Sequence, residues 1–134
     1  MIDGLTASLR VAASGLEAQS MRMRVVSENL ANAESAGRTP GADPYRRKDV
    51  LFSAEMDRLS GATMVEIAGT RDDPSAFRLE YRPGHPAADD KGYVKLPNVN
   101  LIIELADMKQ ANRSYEANLQ VVKQGREMLQ MTID

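Results

Sequence analysis

The chain has 134 residues, 17 basic and 19 acidic, which is room for one domain or for one domain with extended arms. The charges are spread evenly, three basic against four acidic in residues 1–36, ten against ten in 37–97 and four against five in 98–134, so the basic footprint of a nucleic-acid binder is missing. The absence of cysteine and tryptophan, with only four tyrosines and two phenylalanines, excludes disulfides, thiolate metal sites and a large aromatic core, and leaves burial to Leu, Ile, Val, Met and Ala.

No apolar run flanked by basic residues stands at the N-terminus, so no cleaved signal peptide is expected. Steps of three and four from Ile2 give Ile2, Leu5, Leu9, Ala12, Leu16, Gln19, Met23, Val26 and Leu30, a heptad seam with one polar member. The seam predicts a core helix over residues 1–32, about 45 Å long, with Asp3 placed to cap it. Residues 33–48 follow as a long loop, because 32–45 hold glycines and prolines and no aliphatic larger than alanine. The loop ends on Tyr45, Arg46, Arg47 and Lys48, which read equally well as contacts to a neighbouring subunit or as part of a flexible linker.

Four short strands are expected next, at Asp49–Phe52, Met64–Ala68, Phe77–Tyr81 and Tyr93–Leu96. Phe77–Tyr81 alternates apolar with polar residues and predicts a half-buried strand, closed by a turn at Arg82–Pro86. Residues 49–97 thus make a small β-rich middle domain. Pro97 and Asn98 stop it, and Asn98 or Asn100 offers an N-cap oxygen to a second core helix in 98–134. The seam of that helix runs Leu101, Leu105, Met108, Asn112, Tyr115, Leu119, Val122, Arg126, Leu129, Ile133. Gly125 is its weak point, since glycine costs a helix about 1 kcal/mol relative to alanine. The fold class is mainly α with a small β part, in which long N- and C-terminal helices form a coiled-coil-like layer.

Nothing in the chain points to catalysis. His85, the single histidine, lies between Gly84 and Pro86 and reads as a turn residue. No serine sits in a nucleophile elbow, and no glycine pattern cradles phosphate. Asp72-Asp73 and Asp89-Asp90 read as solvated turn acids. No cofactor, metal, small-molecule substrate or membrane insertion is expected. What the helices do carry is apolar surface beyond one seam, including Met21, Ile102, Val121 and Met128, while the middle is near the lower size limit for a stable domain. Assembly answers both. The expected interface is Leu5, Leu9, Leu16, Met23, Val26, Leu30, Asn32, Leu105, Met108, Tyr115, Asn118, Leu119, Val122 and Leu129. The alternative is a coiled-coil adaptor or secreted protein whose ends bind a partner helix.

Several motifs resemble a known family. Ser27-Glu28-Asn29-Leu30-Ala31-Asn32 resembles the close of the N-terminal helix in the axial proteins of the bacterial flagellum, the rod and hook family. Tyr45-Arg46-Arg47-Lys48 is similar to the segment that follows there, and its delay by residues 33–44 is typical of proximal rod members. The run His85-Pro86, Ala88-Asp89, Gly92-Tyr93-Val94, Pro97-Asn98-Val99-Asn100 resembles the proximal-rod signature. Glu104, Asp107-Met108, Ala111, Arg113 and Tyr115-Glu116-Ala117-Asn118 resemble the C-terminal motif of axial proteins, with departures at Leu105 and Gly125-Arg126. The resemblance implies a structural subunit of the proximal rod whose terminal helices line a tube that transmits torque and surrounds the export channel, with residues 49–97 as an outer domain. It implies passage through the flagellar type III export apparatus without a cleaved signal, and a place in the periplasm. The partners it implies are other flagellar rod subunits, the adaptor between rod and export gate, and further copies of the chain.

Overall fold

The structure is a computed structural model, and it describes residues 2–56 and 63–133. The expected seam positions Ile2 and Ile133 and the expected cap Asp3 lie outside the described side chains. The elements run α1 (Ile2–Ala31), β1 (Lys48–Met56), β2 (Thr63–Asp72), β3 (Arg78–Tyr81), β4 (Tyr93–Leu96) and α2 (Leu101–Ile133). The two β parts are two-stranded sheets, β1 with β2 and β3 with β4. The mainly helical fold with a small β part is therefore as expected, and β4 has the expected bounds.

The residues group into two compact units that cut across the four sequential segments expected above. The first holds Met1–Arg24, Val50–Gly69 and Met108–Asp134, and the second holds Val25–Asp49 and Thr70–Asp107.

In the first unit α1 and α2 run antiparallel. Leu9 lies against Gly125, Gly15 against Asn118, and Arg22 donates to Gln110 at 2.9 Å. Ala12, Ala18 and Ala111 are buried in the same unit. Such small side chains let helix backbones approach closely, and the two glycines show how closely. A Cβ on Gly125 would overlap the Leu9 side chain, and one on Gly15 would stand 2.6 Å from the Asn118 amide nitrogen. Gly125 is thus a contact point of the helix pair, which its low helix propensity concealed. Strand β2 is tied to α1 by the Val65 N–H, which donates to the Ser14 hydroxyl at 3.3 Å.

In the second unit the core is Val94 and Leu96 of β4 with Ala87, and Ala36 and Ala88 pack at its edge. β3 and β4 pair antiparallel, with Arg78 opposite Leu96, Leu79 opposite Lys95, Glu80 opposite Val94 and Tyr81 opposite Tyr93. Opposed residues share a face. Arg78 and Glu80 therefore share the face of the buried Val94 and Leu96, and Leu79 and Tyr81 point the other way, Leu79 being 66% exposed. The expected alternation of β3 exists, but its apolar side is the outer one. Arg78 explains the inversion, because it donates to the carbonyls of Ala33 and Pro97, both at 3.2 Å. His85 is a turn residue as expected, its Nδ1 accepting the Ala87 N–H at 3.0 Å. Of the two proposed caps, Asn100 is the one that caps α2, accepting the N–H groups of Ile102 and Ile103.

Candidate assembly surface and the buried junction

The exposed large apolar side chains divide the two helices. On α2, Leu101, Ile102, Ile103 and Leu105 are exposed in the second unit, and Val121, Met128 and Met131 in the first. Among the described residues of α1 no large apolar side chain is exposed. Its outer positions Arg10, Ala13, Glu17, Ser20, Arg24, Ser27 and Ala31 are small or charged. Single exposed aliphatics are ordinary, but a helix that repeats them marks a contact surface.

Val26 is buried, and Leu5, Leu9, Leu16, Met23, Leu30, Met108, Tyr115, Asn118, Leu119, Val122 and Leu129 are half-buried within the chain. Leu105, taken for a seam member, is 57% exposed. The buried line of α2 runs Glu104, Met108, Ala111, Tyr115, Asn118, Val122, Gly125 and Leu129. It keeps half the expected seam and moves the other half back by one residue. The physical reason is size: Glu104, Ala111, Asn118 and Gly125 look unsuited to a hydrophobic seam, yet small or fully bonded residues sit where backbones come close. Asn32 bonds locally, donating to the Glu28 carbonyl and accepting from the Ser35 hydroxyl. Asn118 donates to the Ser114 carbonyl in its own helix.

The loop 33–48 is tied down inside the second unit. Asn29, fully buried, is the first tie. Its amide donates to the Lys48 carbonyl at 2.9 Å and to Glu104 at 3.3 Å, and its oxygen accepts the Lys48 N–H at 3.0 Å and the Tyr45 hydroxyl at 2.7 Å. All the polar capacity of one side chain is used. Arg46 donates to the carbonyls of Asp73 and Ser75 and lies 4.2 Å over the Phe77 ring. Asn98 brackets the same turn, accepting the Arg47 N–H at 2.7 Å and donating to Asp73 and Ser75.

Arg47 is the second tie. Its guanidinium bonds Glu104 and Asp49, and reaches Asp73 at 3.3 Å and Asp107 at 3.5 Å. Glu104 has no exposed surface, and Arg47 and Asn29 supply the hydrogen bonds that water would otherwise give it. Burial works to lower the Arg47 pKa, but the hydrogen bond and charge of Glu104, with Asp49 behind them, raise it above its usual value. Burial pushes the Tyr45 hydroxyl up, and the charges of Glu28, Glu104 and Asp72 add to it. The Ser75 backbone N–H, then its side chain, hold Asp73 below the usual carboxylate range, with Arg47 contributing. Asp73 is therefore part of a network and not a free turn acid. Asp89 does shape a turn, accepting the N–H groups of Lys91 and Tyr93.

Residues 9–37 match a family model described as flagella basal body rod protein, and residues 90–134 match the C-terminal region of flagellar basal body rod FlgEFG proteins. The chain is similar to the flagellar basal-body rod protein FlgC of Agrobacterium fabrum, with 56% identity over 133 residues, covering 99% of this chain and 96% of the relative. It is 39% identical to FlgC of Borreliella burgdorferi, covering 97% of this chain and 96% of the relative. Against FlgC of Salmonella typhimurium the identity is 38%, over 92% of this chain and 91% of the relative.

Proposed function

Because the chain belongs to the FlgC family of flagellar basal-body rod proteins, we propose that its outward α2 face is the surface through which it assembles. It is a structural subunit of the bacterial flagellar basal-body rod, in a family that is not enzymatic. It associates with other rod components and with copies of itself.

The observation that carries the reading is the asymmetry of the helices. Leu101, Ile102, Ile103, Leu105, Val121, Met128 and Met131 stand outward on α2, whereas α1 presents small and charged residues. Burying such side chains between subunits stabilises by roughly 1.5–3 kcal/mol each. Repeated around a tube, these contacts would enclose the export channel and transmit torque. The adaptor between rod and export gate is the unlike neighbour, and the periplasm is the compartment. Among the described residues no helix is long and apolar enough to cross a membrane. Export without a cleaved signal suits a subunit whose terminal helices complete their folding on neighbours.

The test is complementation of a strain lacking this subunit. Ile102→Asp and Val121→Asp are expected to leave the purified chain helical by circular dichroism, yet to block incorporation into basal bodies and motility. Normal swimming with either variant at native levels would overturn the assignment of this face.

A further inference from the structure

Leu101, Ile102 and Ile103 immediately precede Glu104 in α2. A helix fixes the direction of each residue relative to the next, so whatever anchors Glu104 also aims these three side chains. Glu104 is anchored by Arg47, which stands at the end of the loop 33–48 and gathers carboxylates from three segments: Asp49 in β1, Asp73 just after β2, and Glu104 with Asp107 in α2. We propose that Arg47 is a positioning residue for rod assembly: acting through Glu104, it holds the first turn of α2 and so presents Leu101, Ile102 and Ile103 as a fixed surface to the next subunit. The inference rests on the reading that the outward face of α2 makes the contact.

Charge, and not packing alone, does the holding. One guanidinium faces four acids. Arg71 touches Asp49 at 3.8 Å but is largely in solvent, and Lys48 turns to Glu28 at 4.0 Å. Among the described residues Tyr45 also lies close by, with the charges of Glu28, Asp72, Glu104 and Arg47 acting on its hydroxyl. Without Arg47 the acids repel one another around a carboxylate with no exposed surface. Protonating them in the native chain removes attraction. In an Arg47→Gln chain it removes repulsion. The pH dependence of local order therefore reverses in sign between the two, which no apolar clamp would do.

Amide hydrogen exchange in the purified full chain reads this directly. The Glu104 N–H donates to the Asn100 carbonyl at 2.9 Å, and the amides of 105–107 continue the same helix. Arg47→Gln is expected to lower protection at 104–107 at least about tenfold at pH 7, and the loss shrinks as the pH falls toward about 4. Glu104→Gln, which keeps the volume, is expected to lower it about tenfold, and the double variant is no worse than Arg47→Gln alone. Additive losses, or a loss independent of pH, overturn the proposal. Should Arg47→Gln fail to fold, Glu104→Gln decides it, since unchanged protection there overturns it equally. Ile102→Asp separates the two readings. If it assembles normally the contact face is wrong, whatever Arg47 does. If it blocks assembly while Arg47→Gln loses protection and still assembles as the native chain does, the positioning role is wrong.

Discussion

The two compact units hold the same pair of helices by different means. In the first, Gly15 and Gly125 let α1 and α2 meet at close range, with Ala12, Ala18 and Ala111 buried in the same unit. In the second, the buried groups between segments are Asn29 and Glu104, answered by Arg47 and Tyr45. Close approach gains dispersion and apolar burial and tolerates a small shift in register. A buried ion pair adds little net stability over an apolar pair, but it tolerates almost no other arrangement, because every alternative leaves a charge without water or partner. The difference teaches that one helix pair can be made tight in one region and specific in another.

The largest way to break the contrast is Arg47→Met. It leaves Glu104 buried and unpaired, and unfolding of residues 25–49 and 70–107 is expected to become easier by about 3–5 kcal/mol, measured by native-state hydrogen exchange. The first unit is tested by Gly125→Leu. Overpacking against Leu9 is expected to cost about 1–3 kcal/mol, read from the urea midpoint, with the exchange change confined to residues 1–24 and 108–134. Asn100→Ala comes next. Loss of the α2 cap is expected to cost about 1 kcal/mol, seen as faster exchange at the start of that helix. Acid gives the smallest and most selective effect. The folded pKa of Asp73 is below its unfolded value of about 3.9. Its contribution is complete above that value and is lost as the pH falls through the folded one. An NMR titration with exchange data is expected to show the second unit loosening below about pH 4 while the small-residue contacts of the first stay unchanged.

Much of the fold was legible because periodicity is local. The heptad spacing located both helices, and Tyr93–Leu96 was found as a strand by composition and its flanking turn residues. The proposed contact surface was legible in part: Ile102, Val121 and Met128 stood out as apolar surplus, whereas most of the seam residues expected at the interface are buried or half-buried within the chain. Leu9 shows the consequence: it packs on Gly125, so Leu9→Asp would destroy the chain's own helix pair and could not report on assembly. The signal for the junction was present and unusable. Asn29, Arg47 and Glu104 are polar residues in motif-like runs, yet polarity usually means solvent, and nothing local says that residues 57 positions apart in sequence, Arg47 and Glu104, will meet.

By itself the sequence placed α1 and α2, narrowed the α2 cap to Asn98 or Asn100 and located the tight turn at His85, since each depends on residues within a turn or two of one another. Tertiary structure alone decided which line of α2 is buried, which face of β3 looks outward and which carboxylates meet Arg47. Periodicity reports the direction of a side chain but not the distance to what it meets. Glu104, Ala111, Asn118 and Gly125 became the inner line because of that distance, and no count of apolar residues contains it.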